Sequence, residues 1–155
     1  MRFASALDTV GRVGRVARSS LPSPAIYHVT SRGVARREIY LDDHDRTQFV
    51  SLLRRVARRW NWRCPAYTLM SNHYHLLVDA KIDDVSLGMR TLNGAYARGF
   101  NERHARVGHL FQGRFEIRVL GDEEHLANAC NYIWNNPVRI DLCSTASDWP
   151  WNGSI

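Results

Sequence analysis

Three features of this sequence predict an α+β fold arranged as a two-layer sandwich. Segments rich in β-branched and aromatic residues alternate with amphipathic ones in the order β-α-β-β-α-β-α. Only Ser71-Asn72 separates the second strand from the third, so those two must fold back as an antiparallel hairpin. Two long apolar repeats at helical spacing fill the gaps between the remaining strands. Together these describe the split β-α-β, ferredoxin-like plan, an antiparallel sheet with helices on one side. Residues 25–155 are expected to form a single domain with a C-terminal tail, long enough to bury a core without disulfides.

Residues 26–33, Ile-Tyr-His-Val-Thr-Ser-Arg-Gly, are β-branched and aromatic and end at a glycine, which makes them the first strand. His28 within it is read as a structural histidine, with a place near the main site as the alternative. Asp42 stands where an N-cap belongs, with Asp45 three residues on, and Phe49, Leu52, Leu53, Val56 and Trp60 then follow at helical spacing. Residues 62–70 form the second strand, with Pro65 at its start, at a bulge or on an edge. A second helix begins near Asp83 and carries Val85, Met89, Leu92, Tyr96 and Phe100. Gly88, Gly94 and Gly99 weaken it by about 1 kcal/mol each and are expected to permit close backbone packing. Phe115, Ile117 and Val119 alternate with Glu116 and Arg118 as a fourth strand. Asp122 caps a third helix whose core stripe is Leu126, Ala129, Cys130 and Ile133. Pro137 is expected to end that helix and to leave Asn136 at a frayed terminus, its amide free to turn. Trp149-Pro150-Trp151 should pack over the outside of the domain.

The net charge is +6, and Lys81 is the single lysine among 21 basic residues. Guanidinium forks bind phosphate oxygens in bidentate fashion and stack on bases, so an arginine excess of this kind points to nucleic acid. Residues 1–24 hold Arg2, Arg12, Arg15 and Arg18 against a lone Asp8. They are read as a flexible basic arm that touches phosphates. Cys64, Cys130 and Cys143 are scattered and odd in number, with no Cys-x-x-Cys pair, which argues against both a disulfide framework and a zinc ribbon and makes a reducing cytoplasm the default. No run approaches the ~18 apolar residues that a membrane span requires, so no membrane partner is expected.

The chemistry concentrates in Met70-Ser71-Asn72-His73-Tyr74-His75-Leu76-Leu77-Val78. Strand side chains alternate faces, so His73 and His75 project together while Tyr74, Leu76 and Val78 bury the other side. Two imidazoles do not complete a metal site. If Asn136 adds its carbonyl oxygen, the resulting N2O set leaves positions on an octahedral Mg²⁺ or Mn²⁺ for water and a phosphate oxygen, as phosphodiester chemistry requires. Tyr132 lies one helical turn before Asn136 on the same face and would hold its phenol near such a phosphate. Gly108-His109-Leu110-Phe111-Gln112-Gly113-Arg114 mixes aromatic, amide and guanidinium groups between glycines, which suits base stacking and phosphate contact as well as it suits an ordinary surface loop.

The His73-Tyr74-His75 stretch resembles the HUH motif (His, hydrophobic, His) of single-tyrosine HUH transposases. Asn131-Tyr132-Ile133-Trp134-Asn135-Asn136-Pro137-Val138-Arg139 resembles the segment that carries their nucleophile. Residues 27–33 and 108–115 also look like family stretches, so four ordered blocks span about residues 25–151. The asparagine one turn after the tyrosine is similar to the REP-associated tyrosine transposase branch. Ser71 replaces the usual proline and Phe111 a common tryptophan, neither at a catalytic position. The resemblance implies a nicking and strand-transfer enzyme that acts on single-stranded DNA beside short hairpins through a 5′-phosphotyrosine. It implies Tyr132 as nucleophile, His73, His75 and Asn136 as ligands to Mg²⁺ or Mn²⁺, and a cytoplasmic, nucleoid-associated monomer or homodimer. Arg32, Gln112, Arg114 and Arg139, with Arg12, Arg15 and Arg18 of the arm, are the DNA-binding candidates. The alternatives are a domesticated module that binds DNA or RNA hairpins without cutting, and an HUH replication-initiator or relaxase-type nickase.

Overall fold

The computed structural model describes residues 17–120 and 125–155. Arg12, Arg15 and the expected cap Asp122 lie outside the described residues. Strands β1 (Ala25–Arg32), β2 (Arg63–Leu69), β3 (His73–Ala80), β4 (Glu116–Val119) and β5 (Asn152–Gly153) form one sheet in the order β4-β1-β3-β2-β5. Every neighbouring pair is antiparallel. The first four strands, with α1 (Asp43–Arg59) and α2 (Ile82–Arg103), realise the predicted α+β plan. No helix among the described residues is long and apolar enough to cross a membrane.

Local chemistry accounts for the elements. Asp42 caps α1 by accepting from the Asp45 N–H at 3.0 Å, and the Asp45 carboxylate accepts from the Leu41 N–H at 2.8 Å. Arg103 at the end of α2 reaches back to Asp42 and Asp45 at 2.6 Å each, which joins the start of one helix to the end of the other. Pro65 sits in a register shift between Arg63 and Ala66, a bulge that removes the need for its missing N–H. Phe49, Leu53, Val85, Met89 and Leu92 of these helices are buried against Tyr27, Val29, Tyr74, Leu76 and Val78 on one face of the sheet.

The other face is covered differently from the one-sided arrangement expected. Helix α3 (Leu126–Trp134) packs Ala129, Cys130 and Ile133 onto Ile26, Ala66 and Leu77, which point away from the main core. It therefore lies on the face that carries the histidines. Pro137 does not end helical structure; it opens a further short turn, α4 (Asn136–Arg139), because a proline in the first turn gives up an N–H that has no helical partner there.

Two other segments differ from expectation. The last part of the arm is docked: Leu21 packs on the core, Ser23 Oγ accepts from the Ile82 N–H at 3.0 Å, and the Arg18 guanidinium lies 4.0 Å from the centre of the Phe115 ring. The tail does more than cover the surface. Asn152–Gly153 adds a strand beside β2, and Ile155 exchanges two 2.8 Å backbone hydrogen bonds with Cys64. An edge strand's unpaired backbone groups draw such a segment, although Asn-Gly carries no strand signal of its own.

Of the three glycines in α2, only Gly88 serves close packing, since a Cβ there would collide with the Trp62 ring, whereas a Cβ at Gly94 or Gly99 meets nothing within 4 Å. Thermal melts should therefore show Gly94→Ala and Gly99→Ala each stabilised by about 0.5–1 kcal/mol and Gly88→Ala destabilised. A stabilised Gly88→Ala variant would contradict this packing.

Candidate active site

β3 runs between β1 and β2, and its pleat sends Tyr74, Leu76 and Val78 into the core with no exposed surface. His73 and His75 consequently stand on the opposite face, half-buried, with ring centres 4.9 Å apart. Pairing sets Arg32 of β1 across from His73 and Thr30 across from His75. His28, two residues before Thr30 on the same face of β1, thereby becomes the diagonal neighbour of His75.

Both ring Nδ1 atoms are engaged. Asn72 donates its Nδ2–H to the Arg36 carbonyl at 3.1 Å, which turns its Oδ1 toward His73 Nδ1 at 2.7 Å. The His73 ring must then carry its proton on Nδ1 and keep a lone pair on Nε2. His75 Nδ1 lies 2.9 Å from His28 Nε2. Burial, helped by the charge of Arg32, pushes His73 down to about 4; burial, helped by Arg118, does the same to His28. Burial first, then His28, His73 and Arg32, lowers His75 further, to about 2. All three rings are neutral near pH 7, the form in which an imidazole nitrogen can bind a metal.

The end of α3 lies level with this pair. Trp134 donates its indole N–H to the Gly153 carbonyl at 3.2 Å, and β5 sets Gly153 and Asn152 across from Tyr67 and Thr68, the latter paired with His75. Tyr132 and Asn136 are each two residues from Trp134 and leave the helix about 200° from it. With Trp134 turned to the β5 edge, both leave on the side of the helix away from that edge. Tyr132 accordingly packs beside the Ile26, Ala66 and Leu77 cluster.

Asn136 is not free to turn. Its Nδ2 donates to the carbonyls of Tyr132 at 3.0 Å and Ile133 at 3.1 Å, filling acceptors that the end of α3 leaves open. The amide orientation is thus set, and Oδ1 is the end directed away from the helix. Among the described residues no group of three or more His, Cys, Asp or Glu side chains could hold a metal ion. The Nε2 lone pair of His73, the imidazole of His75 and the Asn136 amide oxygen are donor types that suit such an ion.

The DNA-binding candidates divide by position. Arg32 is exposed beside His73, and its carbonyl accepts from the Gln112 N–H at 2.8 Å, which brings Gln112 to the same end of the sheet. Arg139 stacks its guanidinium 4.4 Å from the centre of the Tyr132 ring. Arg114 is exposed on the neighbouring loop, and Arg18 stands over Phe115. Phe111 is not presented for base stacking; its ring packs against Tyr74 and Tyr96. His28, read from the sequence as structural in preference to a place near the main site, takes the less favoured of those two readings, and the β1–β3 register is what brings it to His75.

A polar, histidine-bearing sheet face beneath a tyrosine helix defines the class of protein: residues 23–136 match the family described as IS200-like transposases, and the chain belongs to that family. A Haemophilus influenzae protein described as a REP-associated tyrosine transposase is 25% identical over 128 residues, covering 76% of this chain and 72% of that protein. A REP-associated tyrosine transposase solved bound to a REP hairpin superposes with TM-score 0.68 at 20% identity, over 83% of this chain and 76% of that one. A Deinococcus radiodurans protein solved as a transposase candidate superposes with TM-score 0.51 at 22% identity, over 80% of this chain and 96% of that one.

The lowered histidine values carry a consequence for acid stability. In the unfolded chain each ring titrates near 6.5, so between there and about 4 the unfolded state binds more protons and stability falls as the pH is lowered. Melting temperature should decline over that window by the equivalent of about 1–3 kcal/mol per ring, with a shallower slope in His75→Gln. Identical slopes in the two proteins would show that these rings do not titrate as described.

Proposed function

We propose that this chain is a metal-dependent nicking and strand-transfer enzyme for single-stranded DNA beside short hairpins, with Tyr132 as nucleophile and His73, His75 and Asn136 as ligands to Mg²⁺ or Mn²⁺. The observation that carries the reading is the donor set: His73 with its Nδ1 engaged and its Nε2 open, the neutral ring of His75 beside it with Nδ1 against His28, and an Asn136 amide whose nitrogen is engaged and whose oxygen is open. A divalent ion held there would act as a Lewis acid on a phosphate oxygen.

The residues of the chain supply the remaining steps. Arg32, across from His73, and Arg139, stacked on Tyr132, attract and orient the phosphate. Tyr132 attacks phosphorus through Oη, forming a Tyr–phosphate bond as the bond from phosphorus to the 3′-oxygen breaks. The phenol gives up its proton and the departing 3′-oxygen takes one, leaving a 5′-phosphotyrosine and a 3′-hydroxyl. Attack by another 3′-hydroxyl reverses the step and transfers the strand, so the bond energy is retained and no nucleotide triphosphate is consumed. Arg114 and Gln112 border the loop end of this face and would meet the flanking strand, with Arg12, Arg15 and Arg18 holding phosphates further along. The enzyme would work on the nucleoid as a monomer or homodimer.

Incubation with Mn²⁺ and a 3′-end-labelled hairpin oligonucleotide should yield a labelled, denaturant-stable protein–DNA adduct. Tyr132→Phe should abolish it, and His73→Ala should reduce it at least 100-fold. An undiminished adduct in Tyr132→Phe would refute the assignment. Tight hairpin binding with no adduct under either metal would point instead to a binding module.

A further inference from the structure

We propose that His28 is a positioning residue that fixes the tautomer and orientation of His75 by accepting a hydrogen bond from its Nδ1–H. The proposal rests on the metal-binding reading of His75, yet its central claim concerns the ring itself and can be tested without a metal or DNA.

The geometry admits few alternatives. His28 Nε2 and His75 Nδ1 are 2.9 Å apart, so one nitrogen donates and the other accepts. If His75 accepted at Nδ1, its proton would sit on Nε2 and close the lone pair that faces away from the sheet. If it donates, Nε2 is open. The partner ring at His73 is held in that second state by the Asn72 amide, whose orientation the Arg36 carbonyl determines. Matching states give two adjacent acceptor nitrogens, whereas a mixed pair would offer one acceptor and one N–H.

His28 is suited to hold this orientation. Its ring stacks on His75 with centres 5.1 Å apart and planes inclined by 28°, so rotation of either ring is opposed by the other. Pairing on both sides, with Leu77 of β3 and Arg118 of β4, seats it in the middle of the sheet. Its engagement of Nδ1 also explains why His28 is not a third ligand: the nitrogen it presents to His75 is occupied by that contact. A hydrogen-bond acceptor behind a ligating imidazole fixes its tautomer and ring angle, and removing one lowers metal affinity by about 10- to 100-fold.

The experiment compares His28→Phe, which keeps an aromatic ring without an acceptor, with His28→Gln, whose side-chain oxygen can reach a similar position. Nitrogen-15 NMR of the metal-free protein should show His75 as the Nδ1–H tautomer in the unsubstituted protein and in His28→Gln, and a shift toward Nε2–H in His28→Phe. Calorimetric titration with Mn²⁺ alone should show about a 10- to 100-fold weaker site in His28→Phe and a near-complete rescue in His28→Gln. An Nε2–H tautomer in the unsubstituted protein overturns the proposal, as does an unchanged His75 tautomer in a folded His28→Phe variant. Failure of DNA cleavage with the tautomer results intact would count against the enzymatic reading alone.

Discussion

The pleat of β3 is the constraint from which the candidate site follows. Tyr74, Leu76 and Val78 have no exposed surface, and a one-residue slip of the strand would exchange them with His73, His75 and Leu77. Such a slip would bury two unpaired imidazoles in the apolar layer, so the core itself selects the register that presents the rings. The hydrogen bonds beneath the strand act in the same direction. Tyr74 donates to Asn93 Oδ1 at 2.5 Å and Asn93 donates to Ser31 Oγ at 3.2 Å, which connects both site-bearing strands to α2 from below.

The helix on the same face of the sheet as those rings is held by a different device. α3 rests on a small apolar cluster and is anchored at its C-terminal end by the tail: Trp134 donates to the Gly153 carbonyl, and Asn152 Nδ2 donates back to the Trp134 carbonyl at 2.9 Å. Trp149 adds a bond from its indole N–H to the Leu69 carbonyl at 3.0 Å. Thus the segment with the weakest sequence signal orients the helix that carries Tyr132. Gly153 is required there because a Cβ would collide with the Tyr67 phenol.

Periodicity made much of this arrangement legible beforehand. α1 begins at its predicted cap, β2 and β3 form the expected hairpin, and Pro65 lies in a bulge, because each of these is decided by neighbours in the chain. What could not be read depends on contacts between distant segments. The proximity of His28 to His75 is set by strand pairing, α3 occupies the second face because Ile26, Ala66 and Leu77 offer an apolar patch there, and β5 exists because β2 has a free edge. Asn136 shows the same limit at short range. Its place beside Tyr132 follows from helical spacing, whereas the two carbonyls that pin its amide become visible only once α3 ends at Trp134 and helical structure resumes at Asn136 itself.

The electrostatics of this face resolve a conflict inherent in the proposed chemistry. Phosphates approaching an imidazole favour its protonated form, which cannot act as a metal donor. Here the rings are half-buried and flanked by Arg32 and Arg118, and both burial and positive charge disfavour protonation. The guanidiniums that would draw a polyanion to the sheet therefore also keep the histidines neutral when it arrives. Replacing those charges by neutral polar groups would weaken both effects together, whereas burial alone would keep the rings neutral without attracting a substrate. An arginine-rich rim around a desolvated imidazole pair meets both requirements with one set of side chains.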